Sequence, residues 1–213
     1  MTITHHPGDE LLLSYALGAS SEPVSLLVAT HLSFCATCRG SVHDMEATGG
    51  AMLSDLEPAA MNVRALQSVL SRLDDNIRDP AQPPQTSGDV PQALRAYVGT
   101  EFSKVRWTAV APGLAHLPLL SRGGTRARLI RARPGAAVST HSHRGEEWTL
   151  VLTGSYRDET GVYRPGDLQS TTPEIVHRPV ADDGPVCINL AVTDAPLVFK
   201  DLLPSIIGKL FGF

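Results

Sequence analysis

The chain has 213 residues, 42% of them hydrophobic, 19% charged and only 5% aromatic, with a net charge of -4. That length allows one or two domains with cores of their own, and the acidic balance argues against direct nucleic-acid binding, which needs a basic face. No apolar run reaches the ~18 residues of a membrane span and no basic-then-apolar leader opens the sequence, so the expected protein is cytoplasmic, without membrane contact.

The first ~78 residues carry helical periodicity. Leu11, Leu12, Tyr15 and Ala16 share one face of a helix from Asp9 to Leu17, stopped by Gly18. Ser20 or Ser21 can cap a second helix, with Pro23 in its first turn and Leu26, Leu27, Ala29 and His31 following. A third is expected from Cys35 to the pair Gly49-Gly50, and a fourth from Ala59 to Ile77. The stripe of that fourth helix is Val63, Leu66, Leu70, Leu73 and Ile77, suited to a core or to a partner's groove.

Asp79 to Pro91 holds four prolines and a glycine and reads as a linker. The expected division is therefore 1–84, a helical domain ending in that linker, and 85–213. Beyond it the periodicity shortens. Ala127–Arg133, Glu147–Thr153 and Val186–Val192 are Leu-, Ile- and Val-rich runs bounded by Gly, Pro and Asp, and Arg164-Pro165-Gly166-Asp167 is a turn between two more. Many short strands without intervening helices indicate a sandwich or barrel. From Pro196 the sequence turns apolar, and a short C-terminal helix is expected there. Its Leu202, Leu203, Ile206, Leu210 and Phe211 could cover one end of the barrel or touch a membrane surface.

Two clusters carry the chemistry. His31 and Cys35 lie four apart, on one helix face, and Cys38 joins them if the chain turns after Cys35. Zinc takes about four nitrogen and sulfur donors. The fourth comes from His5-His6, and His6 is preferred because Pro7 fixes the chain directly after it. Such an ion would staple the chain start to the second helix. In the second half His141 and His143, two apart on a strand, point to one side of the sheet. Glu147 opens the next strand and His177 lies after Pro173, giving three imidazoles and a carboxylate for a divalent metal: Fe, Mn, Ni or Zn. Cys187 sits in a strand pattern far from other cysteines, as a buried structural thiol would. His43 and His116 carry no pattern.

These residues resemble known families. His6, Leu12, Tyr15, Gly18 and His31-Leu32-Ser33-Phe34-Cys35-Ala36-Thr37-Cys38 are similar to the zinc-binding anti-sigma domain. That resemblance implies a helical bundle which packs between the two main domains of an extracytoplasmic-function sigma factor. Gly135, His141, His143, Glu147 and Gly154 match the first cupin motif. Gly166-Asp167, Pro173 and His177 fit the second, from which Ile175 and Ala181 depart. Together the halves resemble ChrR-type anti-sigma factors. The resemblance implies Zn2+ in each domain, a 1:1 complex with a sigma-E-like factor, release under singlet oxygen or photo-oxidative stress through the cupin, and no catalysis. The competing expectation is a metal-dependent cupin dioxygenase acting on a small dicarbonyl compound.

Overall fold

The structure is a computed structural model describing residues 2–73 and 88–199. The expected boundary near Pro84, Ile77 and the apolar run from Leu202 to Phe211 lie outside the described residues. Among the described residues no helix is long and apolar enough to cross a membrane.

Helix α1 spans Asp9–Ala16, with Asp9 and Glu10 in its first turn, where the helix dipole favours negative charge. It stops at Gly18, whose φ of 65° suits glycine alone. Helix α2 spans Glu22–Phe34, opening at Ser21 with Pro23 just inside. Cys35 then adopts an extended conformation (φ -105°, ψ 107°), so it closes α2 and opens α3, Ala36–Ser54. The position of its sulfur is fixed from within, since Cys35 Sγ accepts the N–H of Cys38.

Two helical expectations need correction. Helix α3 does not stop at Gly49-Gly50 but runs through both. Glycine in a helix interior costs about 1 kcal/mol yet keeps its N–H and forbids nothing. The fourth helix is far shorter than Ala59 to Ile77: α4 covers only Ala65–Leu70. Asn62 intervenes, its side-chain oxygen accepting the N–H of Arg64 at 2.9 Å, a local turn that competes with helix. Val63, Leu66, Leu70 and Leu73 are all exposed, so among the described residues this stripe is not core.

The second half is the expected cupin architecture. Strands β1 (Thr108–Ala111), β2 (Leu114–Arg122), β3 (Thr125–Ala132), β10 (Cys187–Thr193), β5 (Glu147–Thr153) and β8 (Leu168–Thr171) form an antiparallel sheet in the order β1-β2-β3-β10-β5-β8. A second sheet is β7 (Gly161–Tyr163), β6 (Tyr156–Asp158) and β9 (Val180–Ala181), while β4 (His141–His143) pairs with β11 (Leu197–Phe199). The three sheets surround a core without closing into one continuous barrel. Where a helix was expected from Pro196, Leu197–Phe199 is a strand, antiparallel to the histidine strand β4. Gly154 ends β5 with φ 66°, and a Cβ there would lie 2.7 Å from the Cys187 backbone. Only glycine lets β5 turn that close to β10.

The helices do not close a core among themselves. Leu26, Leu27 and Val28 of α2 belong to the same buried cluster as Leu129, Leu150, Leu190 and Val192 of the sheet. The same cluster takes in Val90, from the stretch read as linker, and Leu94 just beyond it, both nearly inaccessible. Short helical turns follow that stretch at Gln92–Leu94, α5 (Arg95–Val98) and Phe102–Lys104. Polar contacts flank the seam: Glu22 accepts from Arg122 at 2.9 Å and from the Tyr97 hydroxyl at 3.0 Å. Because Leu27 is wholly buried at this junction, Leu27→Ala should destabilise the full chain by about 2–5 kcal/mol. Chemical denaturation, following helical and sheet signals together, checks this. Separate loss of the helical signal alone would mean the two parts are not one core.

Candidate metal centres

The first cluster is assembled from three places. His6 leaves the extended segment before α1, His31 projects from the last turn of α2, and Cys35 and Cys38 flank the bend into α3. One donor atom from each lies within 4.8 Å of the others. His6 Nδ1 is 3.4 Å from Cys35 Sγ and 3.3 Å from Cys38 Sγ. His5 is not part of it. Its ring lies tilted against that of Tyr163, with centroids 4.5 Å apart.

The chemistry of this donor set calls for a cation. His31 is fully buried, and among the described residues neither ring nitrogen has a hydrogen-bond partner of good geometry, the Gly166 backbone being the polar group its ring approaches. A buried polar atom without a partner costs free energy that a metal bond would remove. Burial holds the His31 imidazole neutral, its pKa depressed to about 4. Without a cation, burial and the adjacent Cys35 push the Cys38 thiol up to about 12. Two sulfurs and two imidazoles at tetrahedral reach suit zinc.

The second cluster is His141, His143, Glu147 and His177, all buried, with donor atoms within 4.8 Å of one another. His141 and His143 come from β4 and Glu147 from the first position of β5. His177 is brought opposite His141 by a backbone bridge. His177 Nε2 lies 3.1 Å from the Nε2 atoms of both His141 and His143, and 3.9 Å from a Glu147 carboxylate oxygen.

The hydrogen bonds on the far sides of these rings fix their tautomers. His177 Nδ1 faces the Asp158 carboxylate at 2.8 Å, and His141 Nδ1 faces the Ser139 carbonyl at 2.8 Å. Both partners can only accept, so both Nδ1 atoms carry the proton and both Nε2 atoms present lone pairs to each other. Two lone pairs at 3.1 Å repel unless a cation lies between them. The donor set therefore fits a divalent metal; three nitrogens and one oxygen accept zinc, iron, manganese or nickel. Asp158 went unnoticed in the sequence because a lone aspartate at the end of a short strand has no spacing signal. Burial would raise its pKa, but hydrogen bonds from His177, Thr160 and Gln169 outweigh that and hold it well below the usual range.

Burial also depresses His141 to about 4 and His143 to about 3, and lifts Glu147 to about 6. In metal-free protein the sign follows. Between the ordinary histidine value of 6.5 and about 4, the unfolded chain binds protons that buried His31 and His141 refuse. Stability is thus present above pH ~6.5 and lost as pH falls through that window. Glu147 acts oppositely between its ordinary 4.5 and about 6, but one carboxylate is outnumbered by three histidines. Chelator-treated protein should therefore melt at progressively lower temperature from pH 7 to 5. A flat or rising melting temperature over that range would contradict it.

A cavity of about 150 Å³ opens beside this cluster, walled by Val110, Leu114, Ile130, Val138 and Leu197 and reaching His141, Glu147 and His177. Cys187 lines it, wholly buried, its thiol donating to Asn189 and pushed up to about 12 by burial. A thiol so reluctant to ionise behaves as packing. His116 is also buried against the cavity, whereas His43 is exposed.

Residues 95–195 match the family model described as the ChrR cupin-like domain. The chain is 42% identical over 211 residues to the anti-sigma-E factor ChrR of Cereibacter sphaeroides, covering 99% of each. It belongs to the ChrR family of anti-sigma factors. Among solved structures it is similar to the anti-sigma ChrR in complex with SigE from Rhodobacter sphaeroides, with TM-score 0.79 and 41% identity over 90% of this chain and 99% of that one. Both candidate clusters thus sit in a chain related to ChrR over 99% of its length.

Proposed function

We propose that this chain binds an extracytoplasmic-function, sigma-E-like sigma factor one-to-one in the cytoplasm and keeps it from RNA polymerase. In this reading residues 1–84 are the inhibitory domain and 85–213 the cupin that governs release under singlet oxygen or photo-oxidative stress. The observation that carries it is the similarity to a ChrR chain solved in complex with SigE, over 90% of this chain. The uncovered apolar side chains Met52, Leu53, Leu56, Met61, Val63 and Leu66 support it. So large an exposed apolar set marks a protein-binding surface.

Zinc is the ion we assign to both clusters, with His6, His31, Cys35 and Cys38 as ligands in one and His141, His143, Glu147 and His177 in the other. Zinc supplies fixed tetrahedral coordination without redox chemistry of its own. At the first cluster it would join α2, α3 and the segment before α1; at the second, it would hold β4, β5 and the His177 loop together. Inhibition needs only buried surface, so no catalysis is assigned.

Co-expression with the sigma factor of its own genome tests the reading: a 1:1 complex should co-purify, and added protein should block sigma-dependent transcription in vitro. Failure of both would overturn it. The cavity beside the second cluster favours one other reading, a dioxygenase acting on a small dicarbonyl compound. Oxygen uptake with acetylacetone by the iron-loaded protein would support that instead.

A further inference from the structure

Residues 3–6 are held against the cupin by contacts that belong to neither metal cluster. The Asp167 carboxylate, 1% exposed, accepts the N–H groups of Thr4 at 2.7 Å and His5 at 3.0 Å. Its other oxygen accepts the N–H of Arg164 at 2.9 Å, closing the turn before β8. The His5 carbonyl in turn accepts the N–H of Leu168 at 3.0 Å. Gly166 forms the floor: with φ 91°, a Cβ there would lie 2.8 Å from the Ile3 side chain and 3.1 Å from Cβ of Phe34. One cupin turn therefore touches the residues that adjoin both His6 and Cys35.

Strand β8 ties the same turn to the second cluster. Gln169, two residues beyond Asp167, donates at 2.6 Å to the Asp158 oxygen that holds His177. At the far end of β8, Thr171 pairs with Glu147 and donates to its carbonyl at 3.3 Å. A single four-residue strand thus contacts the supports of two ligands in one cluster and clasps the segment that delivers a ligand to the other.

We propose that the Arg164–Asp167 turn is a docking site for the chain's own segment Ile3–His6, and that through β8 it couples metal occupancy at the cupin cluster to metal retention at the His-Cys cluster, with Asp167 as the positioning residue. This rests on the reading that both clusters bind zinc. The physical case is one of support. His6 is the one exposed donor of its four, and its approach is set by this clasp on one side and Pro7 on the other. Emptying the cupin cluster leaves facing imidazole lone pairs to spread apart, which displaces His177, Asp158 and, through Gln169, β8. Once the clasp slackens, His6 is the ligand free to leave. Linkage makes the effect reciprocal.

The test uses the full chain loaded with Co2+, because thiolate-to-cobalt absorption reports the His-Cys cluster alone. Cobalt loss to excess chelator is timed for the unaltered chain, Asp167→Ala, Asp167→Asn, Glu147→Ala and the Asp167→Ala/Glu147→Ala double variant. Asp167→Ala should speed loss from the His-Cys cluster about tenfold, the worth of a charge-assisted hydrogen bond. Asp167→Asn, which keeps an acceptor oxygen, should fall between and covers the case that the alanine variant misfolds. Glu147→Ala should give a similar acceleration, and the double variant no more than either alone. An unaltered rate in the Asp167 variants, or accelerations that multiply in the double variant, would overturn the coupling. Fewer than two cobalt ions in the unaltered chain would instead overturn the two-metal reading on which it rests.

Discussion

Cys38→Ser should lower bound zinc from two ions per chain to one and abolish sigma binding, a loss of at least a hundredfold in affinity on the order expected when a structural zinc is removed. The size of the effect follows from what the ion would join. The segment bearing His6, the end of α2 and the start of α3 each supply a donor to this cluster, and helix α1 packs against α3. A structural zinc in a small module is worth ~10–16 kcal/mol, whereas α1 and α3 bury few apolar residues: Leu12 in one and Val42 in the other, beside the cysteines. Serine replaces a soft thiolate by a weakly acidic hydroxyl at nearly the same volume, so packing is preserved and ligation is not. Metal analysis and titration against the labelled sigma factor measure both consequences. If Cys38→Ser retained normal inhibition, the metal would be incidental to the inhibitory surface.

Replacing His141 and Glu147 together by Ala should leave repression intact while abolishing induction by oxidant. None of the four cupin-cluster residues is among the exposed apolar residues between Met52 and Leu73, and all four are buried, so their loss removes no surface assigned to the sigma factor. It does remove two of four ligands, and a signal can shift the complex only through a site whose state differs between bound and released forms. A reporter strain carrying the double variant, exposed to light and a photosensitiser, should show basal transcription no higher than the unaltered strain and no more than about a tenth of its induction, a population shift forgone of about 1.4 kcal/mol. Full induction would place the sensor elsewhere. Point substitutions are the sharper instrument here than deletion of 85–213. Deletion would strip Leu26, Leu27 and Val28 of the sheet residues that bury them, and loss of repression could then follow from an exposed helix face alone.

Much of the candidate site was legible because ligation imposes spacing. His31-x3-Cys35-x2-Cys38 and His141-x-His143-x3-Glu147 each place donors on two adjacent elements joined by a short bend, and the structure gathers each set, with His6 and His177, within 4.8 Å. The second-half strands were readable for a similar reason: Glu147–Thr153 is a short apolar run whose ends are punctuated by turn residues, and β5 has those bounds. Readings resting on propensity alone fared worse. Gly49-Gly50 did not end α3, since glycine only weakens a helix, and the stripe from Val63 to Leu73 did not make a long one, since Asn62 turns the chain locally and no neighbour among the described residues covers the face.

What the sequence determined by itself, then, is local: which residues can ligate, where strands turn, and where α2 must bend so that Cys35 and Cys38 face His31. Those are short-range consequences of backbone period and donor chemistry. The tertiary structure alone decided what lies across the seam. No periodicity announces that Asp167 will receive the N–H groups of Thr4 and His5 from more than 160 residues away, that Asp158 will orient His177, or that α2 completes its core with the cupin sheet. Such contacts obey shape and hydrogen-bond satisfaction in three dimensions, and a single buried carboxylate leaves no pattern along the chain.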